Sequence, residues 1–231
     1  MGTDSGDADS SLSPYYHVPR EREPRTDNQT QSRVGDVAFI TSQLSNKTFT
    51  TSLLANFPGT FDPNKALVYG HSFGGATAAV AAQRNTQVIA GLNFDGTIFG
   101  SVNEQGFKGK PFVLVASARN YTRPAFPPVS EWNSFYEKVD SAKMELAVWD
   151  TQHYAFMDVP LLLTVFQTPP ESQPVVEQTF GTLDGRRLER TMNEIVTGLL
   201  ELAYSGDPEP LSRVERNTDI DVVLSDLPRC E

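Results

Sequence analysis

The stretch that most constrains this chain is Ala66-Leu67-Val68-Tyr69 running into Gly70-His71-Ser72-Phe73-Gly74-Gly75 and on into Ala76-Thr77-Ala78-Ala79-Val80-Ala81-Ala82. A short apolar, β-prone run, a glycine-flanked serine and a proline-free series of small residues spell strand, sharp turn and helix. In a G-x-S-x-G turn the serine is held in a strained conformation that lifts its hydroxyl above the sheet edge, and flanking glycines relieve the crowding. Small residues in the following helix let it pack closely on the sheet. The sequence therefore predicts a nucleophile elbow with Ser72 at its tip.

The remaining chain continues this alternation. Strand-like runs are expected at Val88-Ile89-Ala90-Gly91-Leu92-Asn93-Phe94, Pro111 to Ala116 and Met144 to Trp149. Helices are expected near Trp132 to Val139 and from about Leu183 to Tyr204, and a last short strand at Asp219 to Leu224. Such alternation predicts an α/β fold, a mostly parallel sheet with helices on both faces, and the near-continuous apolar strands fit burial on both sides. Upstream, Val34, Val37 and Ile40 carry helical spacing from Arg33 to about Leu44. Residues 1–31, rich in Asp, Ser, Pro, Arg and Thr, read as disordered or irregular, and residues 32–231 as one partial domain.

Nineteen Lys and Arg against twenty-nine Asp and Glu give a formal net charge of −10, which opposes nucleic-acid binding. A single cysteine, Cys230, excludes an internal disulfide and a cysteine-built metal site, and no metal or cofactor is expected. The acidic, polar first ten residues do not resemble a secretory signal, and no compartment is read from them. The strongest apolar run, Val159 to Phe166, is core-sized rather than long enough to span a bilayer.

A serine hydroxyl needs a base, and the base needs an orienting acid. Of the three histidines, His17 lies in the irregular segment and His71 is expected to point away from the line of attack. That leaves His153, in a loop beyond a late strand, as the base. Serine hydrolases of this architecture often place the acid after the second strand beyond the elbow, where Ala116-Ser117-Ala118 carries no carboxylate. Asp95, in Asn93-Phe94-Asp95-Gly96 at the end of the preceding strand, is the better candidate; Asp150 and Asp158, close to His153 in sequence, stay open. The order Ser72, Asp95, His153 matches that of α/β-hydrolases. Phe73, through its backbone N–H, is the expected oxyanion donor.

Gly70 to Thr77, Leu92 to Gly96 and His153-Tyr154-Ala155-Phe156-Met157-Asp158-Val159-Pro160-Leu161-Leu162 resemble plasma-type platelet-activating factor acetylhydrolases and their fungal relatives, as does Gly181-Thr182-Leu183-Asp184-Gly185-Arg186-Arg187. Those enzymes also set the acid one strand early. The resemblance implies an α/β-hydrolase that cleaves carboxylic esters or short acyl chains of ether phospholipids with a Ser72, Asp95, His153 triad and no cofactor. It implies a small-molecule or lipid ester partner, and relatives are often secreted.

No loop before Arg33 resembles the one that carries the second oxyanion donor, and the strands that normally precede the elbow are not recognised. The elbow strand is therefore expected to lie at a sheet edge open to self-association, with Tyr15-Tyr16-His17-Val18 as the one segment able to add a strand. Two other readings follow: a catalytically silent remnant or interaction module, and a cutinase-like or dienelactone-type hydrolase with its acid after the Pro111 to Ala116 strand. The segment Tyr121 to Pro128 could line an entrance or pack as a surface loop.

Overall fold

The computed structural model describes residues 23–58, 61–118 and 130–228. His17, the Tyr15 to Val18 and Tyr121 to Pro128 segments and Cys230 lie outside the described residues.

Strand alternation sets the layers. Along one strand, Phe112, Leu114 and Ala116 face one core, while Val113 and Val115 face another. Both faces of the sheet are thus dry, as the unbroken apolar strands require. In chain order the elements are α1 (Glu23–Leu44), α2 (Lys47–Leu53), β1 (Ala66–His71), α3 (Phe73–Arg84), β2 (Val88–Phe94), α4 (Ser101–Gln105), β3 (Phe112–Ala118), α5 (Ser130–Lys138) and β4 (Lys143–Trp149). A 3₁₀ turn (His153–Phe156), α6 (Val159–Phe166), α7 (Gln173–Phe180), α8 (Gly185–Ser205), α9 (Glu209–Ser212) and β5 (Ile220–Asp226) complete the chain.

The sheet order is β1-β2-β3-β4-β5, with the first four strands parallel. Residues of α1, α3, α4 and α5 build the core on one face. On the other, Leu188, Ile195, Leu199 and Leu202 of α8 and Leu211 of α9 cover Leu92, Phe94, Val113, Val115, Met144 and Leu146. The expected mostly parallel α/β sheet with helices on both faces is what the chain forms.

The final strand runs antiparallel to β4, for a reason visible in the path. Gly206, left-handed at φ +80°, ends α8. The chain then doubles back along α8: a Cβ on Gly198 would lie 2.8 Å from the Leu211 Cα, Asn217 bonds Thr191, and Asp219 pairs with Arg187. It therefore re-enters the sheet at the carboxyl end of β4, where Trp149 N–H donates to the Asp219 carbonyl at 2.8 Å.

Two expectations need correction. The first helix starts at Glu23, inside the segment read as irregular. Its packed stripe includes Thr30, Val34, Val37 and Thr41, while Ile40 is exposed; threonines occupy helical-face positions that an apolar count skips, and Thr41 accepts a 2.9 Å bond from Asn85. The run Val159 to Phe166, short as expected, forms a helix with Leu162, Val165 and Phe166 turned outward. As expected, β1 has a strand neighbour on one side only among the described residues, and Tyr69 on it is 55% exposed.

Candidate active site

β1 ends at His71 and α3 begins at Phe73, so Ser72 alone makes the turn. It does so at φ 56°, ψ −121°, a conformation costly for a residue with a side chain. The strain is sustained by what surrounds it. Ser72 N–H donates to the Phe94 carbonyl at 2.8 Å, and the Ser72 carbonyl accepts from Gly75 N–H at 2.9 Å. A Cβ on Gly70 would sit 2.6 Å from the Gly74 backbone, and one on Gly75 would sit 1.7 Å from Asn93 Oδ1. The second glycine of the motif, Gly74, meets nothing; the close approaches belong to Gly70 and Gly75.

Asp95 lies at the end of β2, also left-handed at φ 52° and with its N–H on the Val115 carbonyl at 2.7 Å. Asn93 ties this turn: its Nδ2 donates to the Gly96 carbonyl at 2.6 Å and its Oδ1 accepts Gly96 N–H at 2.9 Å. Trp132 Nε1 also donates to the Gly96 carbonyl, at 2.9 Å. Gly96 is pressed beneath the elbow, where a Cβ would stand 2.0 Å from the Ser72 carbonyl oxygen. The β2 turn and the elbow are thus one packed unit.

His153 opens the 3₁₀ turn after β4. Its loop is tied down by the Asp150 carbonyl, which accepts Thr182 and Leu183 N–H at 2.8 and 3.0 Å, and by Thr151 Oγ1 donating to the Val148 carbonyl at 2.7 Å. The ring bridges two strand ends: Nε2 is 3.1 Å from Ser72 Oγ, and Nδ1 is 2.8 Å from Asp95 Oδ2. Ser117, at the end of β3, donates its N–H to Asp95 Oδ1 and its hydroxyl to Oδ2, both at 2.9 Å. Burial pushes the Asp95 carboxyl up, but the bonds from His153 and Ser117 outweigh it and hold the group below the usual carboxylate range.

Ser72, His153 and Asp95 therefore stand in one hydrogen-bonded line. Asp150 and Asp158 are exposed; Asp150 serves its turn through its carbonyl at φ 58°, and Asp158 precedes α6 without a capping bond. The end of β3, beside which the cutinase-like reading needs an acid, carries Ser117, and residues 119–129 that follow it lie outside the described residues. Phe73 is the first residue of α3, where N–H groups lack intrahelical acceptors; its ring stacks on Phe99 at 5.6 Å, with the Arg33 guanidinium 4.7 Å above it. His71, expected to point away from the line of attack, packs against His153, their centroids 4.7 Å apart.

Among the described residues no cluster of three metal-ligating side chains occurs, and no helix is long and apolar enough to cross a membrane. A groove of about 920 Å³ between α8 and residues 213–219 contains none of the three aligned residues.

Residues 35–167 match the family described as platelet-activating factor acetylhydrolase, isoform II. The chain belongs to that family. Among solved structures, this acetylhydrolase-family chain is similar to a ferulic acid esterase from Streptomyces cinnamoneus, with TM-score 0.65 and 25% identity. The match covers 86% of this chain and 56% of the esterase, so the chain spans little more than half of that structure's length. No curated protein matches. Family and neighbour agree with the α/β-hydrolase architecture of the sheet.

Proposed function

We propose that this chain is a serine ester hydrolase acting on carboxylic esters with short acyl chains, including the acyl group of a platelet-activating-factor-like phospholipid. The observation that carries the reading is the line Ser72 Oγ, His153, Asp95, with contacts of 3.1 and 2.8 Å and each residue at the carboxyl end of a parallel strand. Ser72 Oγ attacks the ester carbonyl while His153 Nε2 takes its proton. Asp95 holds the Nδ1–H tautomer and balances the imidazolium. The oxyanion of the tetrahedral adduct is met by Phe73 N–H, reinforced by the positive end of α3. His153 returns the proton to the departing alkoxide, and the acyl-enzyme is released when water repeats the cycle.

Two supports favour this over a generic hydrolase. The acid stands after β2, as in the resembled acetylhydrolases, and the family match spans all three residues. The test is labelling with a fluorophosphonate probe together with turnover of p-nitrophenyl acetate. Folded protein should label at one site and lose label in Ser72→Ala; equal labelling of that variant sinks the proposal.

A second reading, a catalytically silent interaction module, is favoured by one observation: the described elements before β1 are the two helices α1 and α2, with no strand loop to bring a second oxyanion donor. Losing one such donor costs on the order of a hundred- to a thousandfold in turnover. Turnover that disappears in His153→Ala eliminates the silent reading.

A further inference from the structure

Two buried side chains from different elements meet on one backbone oxygen beneath the elbow. The Gly96 carbonyl accepts Asn93 Nδ2–H at 2.6 Å and Trp132 Nε1–H at 2.9 Å, one donor for each of its lone pairs. Asn93 is fully buried and Trp132 is 2% exposed, and in so dry a place such bonds are stronger than at the surface. Their reach differs. Asn93 lies on β2, three residues before Gly96, and closes the turn on itself, which fixes the shape of residues 93–96 but not their place. Trp132 comes from α5 and ties the turn to a separate element.

α5 is itself held firmly. Phe135 on it packs edge-on against Phe107 and Phe112, with ring centroids 5.9 and 5.2 Å apart. The Ser134 hydroxyl donates to the Asn103 carbonyl at 3.3 Å, and just beyond the helix Asp140 N–H reaches the Phe107 carbonyl at 2.9 Å. The glycine so anchored has the candidate acid on one side and the elbow on the other. Asp95, left-handed at φ 52°, precedes it in the chain, and a Cβ on Gly96 would stand 2.0 Å from the Ser72 carbonyl oxygen.

We propose that Trp132 is a positioning residue that fixes, through the Gly96 carbonyl, the separation of Asp95 and Ser72 that the His153 ring spans. This rests on Ser72, Asp95 and His153 being the catalytic line. The His153 ring reaches Ser72 Oγ at 3.1 Å and Asp95 Oδ2 at 2.8 Å, and as a rigid body it cannot follow both ends if they drift apart. Val115 and Ser117 hold Asp95 from β3; Trp132 adds a hold from the helical layer, at the residue that also touches the elbow. A displacement of about 1 Å in such a line costs on the order of a hundredfold.

The experiment compares three variants of the full chain. Trp132→Phe removes the donor and part of the ring, and site-specific replacement of Trp132 by β-(3-benzothienyl)alanine keeps the bicyclic shape without the N–H. Phe135→Leu disturbs the same helix at a residue that makes no bond to the turn. The readouts are p-nitrophenyl acetate kinetics, melting temperature and the far-downfield proton signal of the His153 Nδ1–H bond to Asp95. Both changes at 132 should lower kcat roughly tenfold with KM nearly unchanged, and should shift that signal upfield or broaden it. Phe135→Leu should lower the melting temperature while kcat and the signal stay at parent values. Undiminished kcat in the benzothienylalanine protein, a change confined to KM, or an equal loss of kcat and signal in Phe135→Leu overturns the proposal. If Trp132→Phe does not fold, the isosteric replacement decides. Failure of the underlying reading looks different: His153→Ala would then label and turn over like the parent protein.

Discussion

Ser117 holds Asp95 at both oxygens, with its N–H on Oδ1 and its hydroxyl on Oδ2, each at 2.9 Å. The strand end of β3, which carries no carboxylate, thus holds the side chain that bonds the carboxylate one strand earlier. The parallel pairing of Phe94 with Val115 keeps the two strand ends adjacent.

Ser117→Ala should cost about 1.5–3 kcal/mol, the usual value of a hydrogen bond to a charged group. Asp95 has a depressed carboxyl in the folded protein, so its contribution to stability is present above the ordinary carboxylate range and is lost as pH falls through the folded value. Removing the hydroxyl raises that folded value. Urea midpoints should therefore differ most near neutrality and converge in acid; a constant gap at every pH would contradict the account.

Asp95→Asn should lower kcat by about ten-thousandfold while leaving the fold intact, the effect of a wrong imidazole tautomer. Asp150→Asn and Asp158→Asn, both exposed, should stay within about twofold, as surface changes do. Steady-state turnover of p-nitrophenyl acetate separates the three, and a collapse in either surface variant would reassign the acid.

Gly96→Ala should be strongly destabilising, because its Cβ would stand 2.0 Å from the Ser72 carbonyl oxygen and both are backbone-bound. A loss of at least ~1–3 kcal/mol is expected from such overpacking. Gly74→Ala, whose Cβ meets nothing, should melt within a few degrees of the parent. Similar melting temperatures for the two would show that the elbow and the β2 turn are not pressed together.

The side of β1 that has no strand neighbour among the described residues should make the protein self-associate. Sedimentation velocity should show a concentration-dependent species, and Tyr69→Lys, which places a charge on the exposed edge strand, should shift it toward monomer. A single species unaffected by concentration would contradict this.

Much of the fold was legible because its signals are local. Each of β1 to β4 is a continuous apolar run, the elbow is a contiguous motif, and Asp184, which accepts Arg186 and Arg187 N–H, marks the start of α8. The extent of the first helix was not legible because Thr30 and Thr41 pack where apolar residues were counted, and the sequence assigns β5 no direction because nothing in residues 220–226 records that the chain has doubled back along α8.

Ser72 as the tip of an elbow was determined by sequence alone, since the strand, the glycines and the small-residue helix all act within a dozen residues. The choice among Asp95, Asp150 and Asp158 as partner of His153 was not: the carboxylate on its ring is that of Asp95, 58 residues away along the chain. Parallel pairing of β1, β2, β3 and β4 brings residues 72, 95, 117 and 153 to one end of the sheet. Only that pairing decides which carboxylate reaches the imidazole, and it places His71, expected to point away from the line of attack, against the His153 ring.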